Sequence, residues 1–256
     1  MPAQGALINA QPHFRAVHII ASGSSSRRNL RYLVLALITL TYATTLQAAQ
    51  PPSSPAPGNC SFTLARLHYN GGGDWYANPS SFSNLVRAAR ERTKLPICDS
   101  VATVAIEDDR LFHFPFICMT GHGDVHLSES ERLRLRRYLI GGGFLWADDN
   151  YGLDASFRRE IALLFPENPL TALPSSHPIF NAGYRLEGLP KIHEHDGKPA
   201  EAFGIYFENR LLVLYTYSSD IGDGMEDPEV HNDGERLHEL ALQAGINILS
   251  YFFRPQ

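Results

Sequence analysis

The chain has no apolar run long enough to cross a bilayer comfortably; the longest, Tyr32 to Leu40, falls well short of the ~20 residues that a membrane helix needs. It has no excess of positive charge either. Its 22 basic residues stand against 27 acidic ones, for a net charge of −5, which argues against nucleic acid as a partner. Cysteine is scarce, at three, so the fold must rest on a hydrophobic core rather than on a dense disulfide framework. There is no internal repeat and no long low-complexity tract, which removes solenoids and arrays. No complete metal-ligand spacing occurs. The acidic stretch Ser218 to Asp227 lacks the EF-hand pattern, so calcium is only weakly suggested there.

What is present begins with a leader. Ser26-Arg27-Arg28-Asn29-Leu30-Arg31, the apolar run from Tyr32, and the small residues Ala48 and Ala49 follow the charged, apolar, small-residue order of a secretory signal. Residues 1–48 are read as that signal, with an uncleaved anchor as the alternative. The arginine pair with Leu30 beyond it partly resembles a twin-arginine export signal, although Arg31 spoils the second apolar position. The leader holds Arg15, Arg27, Arg28 and Arg31 but no acid, so its removal leaves a still more acidic chain. Residues 49–60, rich in proline and serine, read as an exposed tether, and residues 61–256 as one domain large enough to own a core. The expected location is periplasmic or otherwise exported, with no stable membrane span after signal removal.

Export brings the cysteines into an oxidising compartment. Cys60 falls just before the first expected strand and Cys98 just before the second; neighbouring parallel strands would place both at one sheet edge, where a bridge can form. Cys118, inside Phe114-Pro115-Phe116-Ile117-Cys118-Met119, reads as a buried apolar filler.

Periodicity divides the domain into alternating strands and helices. Strands are expected at Phe62–Tyr69, Val101–Ile106, Phe114–Thr120 and Phe144–Ala147, and helices start near Pro79, at Ser128 with Glu131 as a capping box, and at Ala155. The prolines of Leu173 to Phe180 imply an extended segment, Tyr184 to Ala202 an irregular insertion, and Ala202–Phe207 with Arg210–Thr216 a β-hairpin turning on Glu208-Asn209. Glu235–Phe253 closes the chain as an amphipathic helix. The pattern is that of an α/β fold with a flavodoxin-like, mostly parallel sheet, helices on both faces and a late β-hairpin.

Six ordered blocks carry a resemblance: Tyr69-Asn70-Gly71-Gly72-Gly73-Asp74-Trp75-Tyr76, Phe114-Pro115-Phe116, Thr120-Gly121-His122-Gly123, Gly142-Gly143-Phe144-Leu145-Trp146-Ala147-Asp148-Asp149, His177-Pro178-Ile179-Phe180 and Gly245-Ile246-Asn247-Ile248. Together, over nearly all of residues 62–253, they resemble a bacterial family known only as a domain of unknown function. Its members look like distant relatives of the class I glutamine-amidotransferase-like fold and are often exported or membrane-tethered. The resemblance implies a fold and no activity. In true amidotransferases the corresponding strand ends in a strained turn bearing a nucleophilic cysteine. Here it ends in Ala147-Asp148-Asp149-Asn150, and a carboxylate is too weak a nucleophile to replace a thiolate on an amide, so glutaminase chemistry is expected to be absent.

In open α/β sheets ligands bind beyond the carboxyl ends of the strands, which marks Asp148, Asp149 and Asn150 with Asp74, Trp75, His122 and Asp124. Aromatic rings beside carboxylates suit a sugar-like or cationic ligand, and the glycines at 71–73 and 121–123 allow close backbone approach. A second reading makes Asp148, Asp149, His122, His193 and His195 a metal set; in an extended His193-Glu194-His195 both imidazoles share one face. A third has Asp148 capping the next turn and Asp149 or Asn150 forming an Asx turn, with His177 simply exposed. The leading function is non-catalytic ligand binding or an accessory role in the cell envelope, with no cofactor predicted and an unknown small molecule or envelope protein as partner. The alternative is a metal-dependent hydrolase.

Overall fold

In the computed structural model, residues 60–254 are described and lie within one compact unit, Ser54–Gln256. The expected signal, residues 1–48, and nearly all of the tether fall outside them. Seven strands form a single sheet in the order β2-β1-β3-β4-β7-β6-β5, with β1 at Phe62–His68, β2 at Ile97–Ala105, β3 at Phe116–Gly121, β4 at Phe144–Asp149, β5 at Thr171–Ala172, β6 at Glu201–Phe207 and β7 at Arg210–Tyr217. From β2 to β7 neighbouring strands are parallel. β6 then runs antiparallel to β7, and β5 antiparallel to β6. The parallel part has the flavodoxin-like order, and its order reverses between β1 and β3.

Both faces of the sheet are covered, so its central strands are apolar throughout rather than alternating. Leu64, Phe116, Cys118, Phe144, Trp146 and Leu214 pack on α1 (Ser81–Arg92) and α6 (Gly234–Phe252). The residues between them, such as Ala65, Ile117, Met119, Leu145, Ala147 and Tyr215, pack on α2 (Glu129–Ile140) and α3 (Asp154–Leu164). Each fully buried Phe or Leu among them contributes about 1.5–3 kcal/mol of transfer free energy. α2 begins with the expected capping box: Glu131 N–H donates to the Ser128 hydroxyl and Ser128 N–H to the Glu131 carboxylate. At the hairpin tip Glu208 and Asn209 both have positive φ, 48° and 65°, the geometry of a tight turn matched to strand twist.

The expectations and the structure differ at several places. β2 starts at Ile97, so Cys98 lies within the strand; its partner is still Cys60, the two joined in a disulfide with Cα atoms 4.8 Å apart. Cys118 is free and buried. Pro178–Asn181 is a 3-10 turn instead of an extended segment, because Pro178 fits its first turn and the His177 ring accepts the Ile179 amide. His177 is accordingly half-buried, with Nε2 2.8 Å from the Tyr206 hydroxyl, and burial lowers its pKa. The acidic stretch after β7 holds a short helix, α4 (Ile221–Gly224), and a second, α5 (Pro228–His231), follows it. Among the described residues no helix is long and apolar enough to cross a membrane.

Candidate functional site

β4 extends through Asp149, and this decides what its two carboxylates can do. Successive strand residues point to opposite faces, so Asp148 and Asp149 do not form a pair. Asp148 turns to the α1/α6 face. There it accepts the Gly222 amide at 2.7 Å and pairs with the Thr216 hydroxyl. Asp149 turns to the other face, where Oδ1 accepts the Leu153 amide at 2.9 Å and fixes the start of α3. Both are 2% exposed. Burial pushes the Asp148 carboxyl up to about 8 and also raises that of Asp149. Asn150 joins Thr120, whose hydroxyl donates to its carbonyl oxygen at 2.7 Å, to Asp223.

The glycine loops after β1 and β3 close on each other. Gly73 N–H donates to Asp124 O, Asp74 N–H to His122 O, and the Asp74 carboxylate accepts the His122 amide. His122 Nδ1 lies 3.1 Å from Asp74 Oδ2. A Cβ on Gly71 would stand 2.4 Å from the His126 amide nitrogen, at a φ of 122°, so that glycine serves the approach of loop to loop. Trp75 stacks beside His68 with ring centroids 4.3 Å apart. Asp74, Trp75, His122 and Asp124 thus lie on the two loops that follow β1 and β3, whose backbones are joined in a clamp.

The histidines of the insertion go elsewhere. His193 and His195 converge on Asp220, the first through Nδ1 at 3.5 Å and the second through a hydrogen bond from Nε2. Asp220 is fully buried at a φ of 61°, and its Oδ1 has no hydrogen-bond partner among the described residues. His193 also lies 3.5 Å from Asp223 Oδ2, and its Nε2 is 2.6 Å from Asp233 Oδ1. Hydrogen bonds with Asp220 and Asp223 raise its pKa to about 10. Burial opposes ionisation of Asp223, but the hydrogen bond with His193 and the charge of His231 outweigh it and hold its pKa below the ordinary value. His193, Asp223 and His231 offer ligand atoms within 4.8 Å of one another. The metal-capable group is therefore assembled from the insertion, the late acidic loop and α5, while His122 stays with Asp74.

On the Asp149 face a cleft of about 350 Å³ is lined by Asp149, Tyr151, Asp154, His195, Lys198 and Tyr217 among others. Tyr151 carries a φ of 79° and is 52% exposed. Its ring stacks on His195 with centroids 4.8 Å apart. Sequence reasoning missed Tyr151, Lys198, Tyr217, Asp220, Asp223 and His231 as site residues. The available signal was the position of Ser218 to Asp227 directly after a strand whose end meets that of β4, through the register pair Asp148 and Thr216.

The fold and edge together define a doubly covered, mostly parallel α/β domain with a polar site beyond its carboxyl edge. Residues 63–253 match the family described as a domain of unknown function, DUF4159, and the chain belongs to it. No curated protein matches the chain.

Proposed function

We propose that this is an exported, non-catalytic ligand-binding or accessory domain of the cell envelope whose ligand, a polyhydroxylated saccharide-like molecule, occupies the cleft beside Tyr151. The observation that carries the reading is Tyr151 itself. A bulky residue at positive φ is uncommon and costs on the order of 1 kcal/mol or more, and such strain clusters at functional sites. Here it holds an exposed ring at the mouth of a cleft of about 350 Å³, a volume suited to a small ligand. Tyr151 and Tyr217 would cover the apolar faces of sugar rings, while Asp154, Asp196 and Lys198 would take their hydroxyls. The Cys60–Cys98 bridge supports export, since such bonds persist in oxidising compartments.

The class I glutamine-amidotransferase likeness is also part of this reading. The strained turn between β4 and α3, where amidotransferases carry their cysteine, carries Tyr151. The one free cysteine, Cys118, is buried within β3 and its thiol is pushed well up by burial, so it supplies no thiolate. Titration of the purified chain with a panel of soluble envelope oligosaccharides tests the reading. Saturable binding that weakens at least tenfold in Tyr151→Ala, with the circular dichroism spectrum unchanged, upholds it. Binding that is absent, or indifferent to Tyr151, overturns it, as does release of ammonia from glutamine.

A metal-dependent hydrolase is the second reading, favoured by the convergence of His193, Asp223 and His231.

A further inference from the structure

We propose that His193 Nδ1, Asp223 Oδ2 and His231 Nε2 form a binding site for a divalent first-row transition ion, zinc foremost, distinct from the saccharide cleft. Two imidazoles and one carboxylate are a donor set that such ions take, and carboxylate-binding calcium or magnesium has no use for the histidines. The spacing fits. Around a tetrahedral zinc, nitrogen and oxygen ligands stand about 3.3 Å apart, from bond lengths of about 2.0–2.2 Å. Asp223 Oδ2 lies 3.5 Å from His193 Nδ1 and 3.9 Å from His231 Nε2.

His193 and Asp223 are also each aimed by a group behind them, the support that metal-binding histidines and carboxylates usually have. His193 Nε2 stands 2.6 Å from Asp233 Oδ1, which holds a proton on that nitrogen and turns Nδ1 to the ion, which would take the place of the proton that Nδ1 directs at Asp220 and Asp223. Asp223 Oδ1 accepts from Asn78 Nδ2 at 2.8 Å and from Asn150, leaving Oδ2 free. Glu226 Oε1 is held by the amide and hydroxyl of Ser80, and its Oε2 lies 3.4 Å from His231 Nε2.

An independent observation comes from Asp220. Its carboxylate is fully buried, Oδ1 has no partner among the described residues, and Oδ2 pairs with His195 Nε2 and lies 3.5 Å from His193 Nδ1. A buried carboxylate left half-satisfied is costly unless positive charge is supplied nearby. Asp220, Asp223, Glu226 and Asp233 together outnumber the three histidines that face them, His193, His195 and His231, and a divalent ion would restore the balance.

The test uses the full chain, stripped with a chelator and titrated with zinc chloride by calorimetry and with cobalt(II) by visible absorption. Expected are saturable zinc binding, cobalt bands of a four- or five-coordinate ion, and at least a tenfold loss of affinity in His231→Gln. That variant lies at the end of a short exposed helix and should keep its fold by circular dichroism. Asp223→Asn should lose binding too, while Tyr151→Ala should leave it unchanged. No saturable binding by the folded chain, or zinc affinity untouched by His231→Gln, overturns the site. Because hydrolysis needs the ion and the ion does not need hydrolysis, bound zinc without turnover of activated esters upholds the site and ends the hydrolase reading alone.

Discussion

Asp148 accepts a 2.7 Å hydrogen bond from the backbone amide of Gly222, fastening the end of β4 to the turn that presents Asp220 and Asp223. The same carboxyl meets the Thr216 hydroxyl, which is also 3.2 Å from Ala147 O. One hydroxyl proton cannot serve both acceptors, and a protonated Asp148 removes the conflict. Burial, which raises this carboxyl from 3.8 to about 8, gives the same answer. Since the folded pKa is the higher one, the folded state holds the proton more tightly. The stabilising contribution is complete below the unfolded pKa and is lost as pH rises towards about 8. Asp148→Asn, permanently neutral, should lack this loss. Urea unfolding at about pH 5 and about pH 9 should show the wild type losing ground against the variant at the higher pH. A constant difference would show the group ionised throughout.

Gly222 has no room for a methyl group. A Cβ there would stand 2.6 Å from Asn78 Nδ2, 3.1 Å from Asp148 Oδ2 and 3.2 Å from Thr120 Oγ1, all atoms of a buried hydrogen-bonded cluster. Gly222→Ala should destabilise the domain by about 1–3 kcal/mol, as overpacking does. Thermal or denaturant melting checks it, and an unchanged midpoint would mean that the cluster yields freely.

At Tyr151 the usual order of alanine and glycine should reverse. Glycine ordinarily destabilises regular structure relative to alanine. At a φ of 79°, however, alanine keeps the strain and glycine does not. Tyr151→Gly should be more stable than Tyr151→Ala by about 1 kcal/mol, and equal or opposite stabilities in urea would show that the turn is unstrained.

The Cys60–Cys98 bridge closes a loop between residues 38 apart. Opening it should cost about 2–4 kcal/mol by the chain-entropy account. Cys60→Ser with Cys98→Ser should melt correspondingly earlier, and non-reducing peptide mapping should recover the pair joined and Cys118 free. Free thiols at both positions in envelope-derived protein would contradict the pairing.

Protein recovered from the envelope should lack residues 1–48. Intact-mass measurement decides this, and a full-length product in the cytoplasmic fraction would remove the case for export.

The sheet was legible because its strands are covered on both sides: Phe144 to Ala147 and Phe116 to Met119 are unbroken apolar runs flanked by glycine and proline. The helix starting at Ser128 announced itself through a local capping box. The site was only half legible, for a geometric reason. Asp148 and Asp149 are adjacent in sequence, but a single further residue of strand sends them to opposite faces. Gly222, which donates to Asp148, and Lys198, which shares a cleft with Asp149, come from segments that periodicity leaves blank. His193 and His195 were readable as a same-face pair, whereas Asp220, on which they converge, is placed by a left-handed backbone turn that no composition specifies.

The chain enters and leaves the domain at one end. Cys60 leads directly into β1, and Phe62 stacks on Phe253 at the close of α6 with ring centroids 3.9 Å apart. The cleft and the histidine cluster lie beyond the opposite, carboxyl ends of the strands, a strand's length of roughly 20 Å away. A domain held to any support through its amino terminus would thus stand on its disulfide-bonded foot, with the cleft and the histidine cluster at the distal tip.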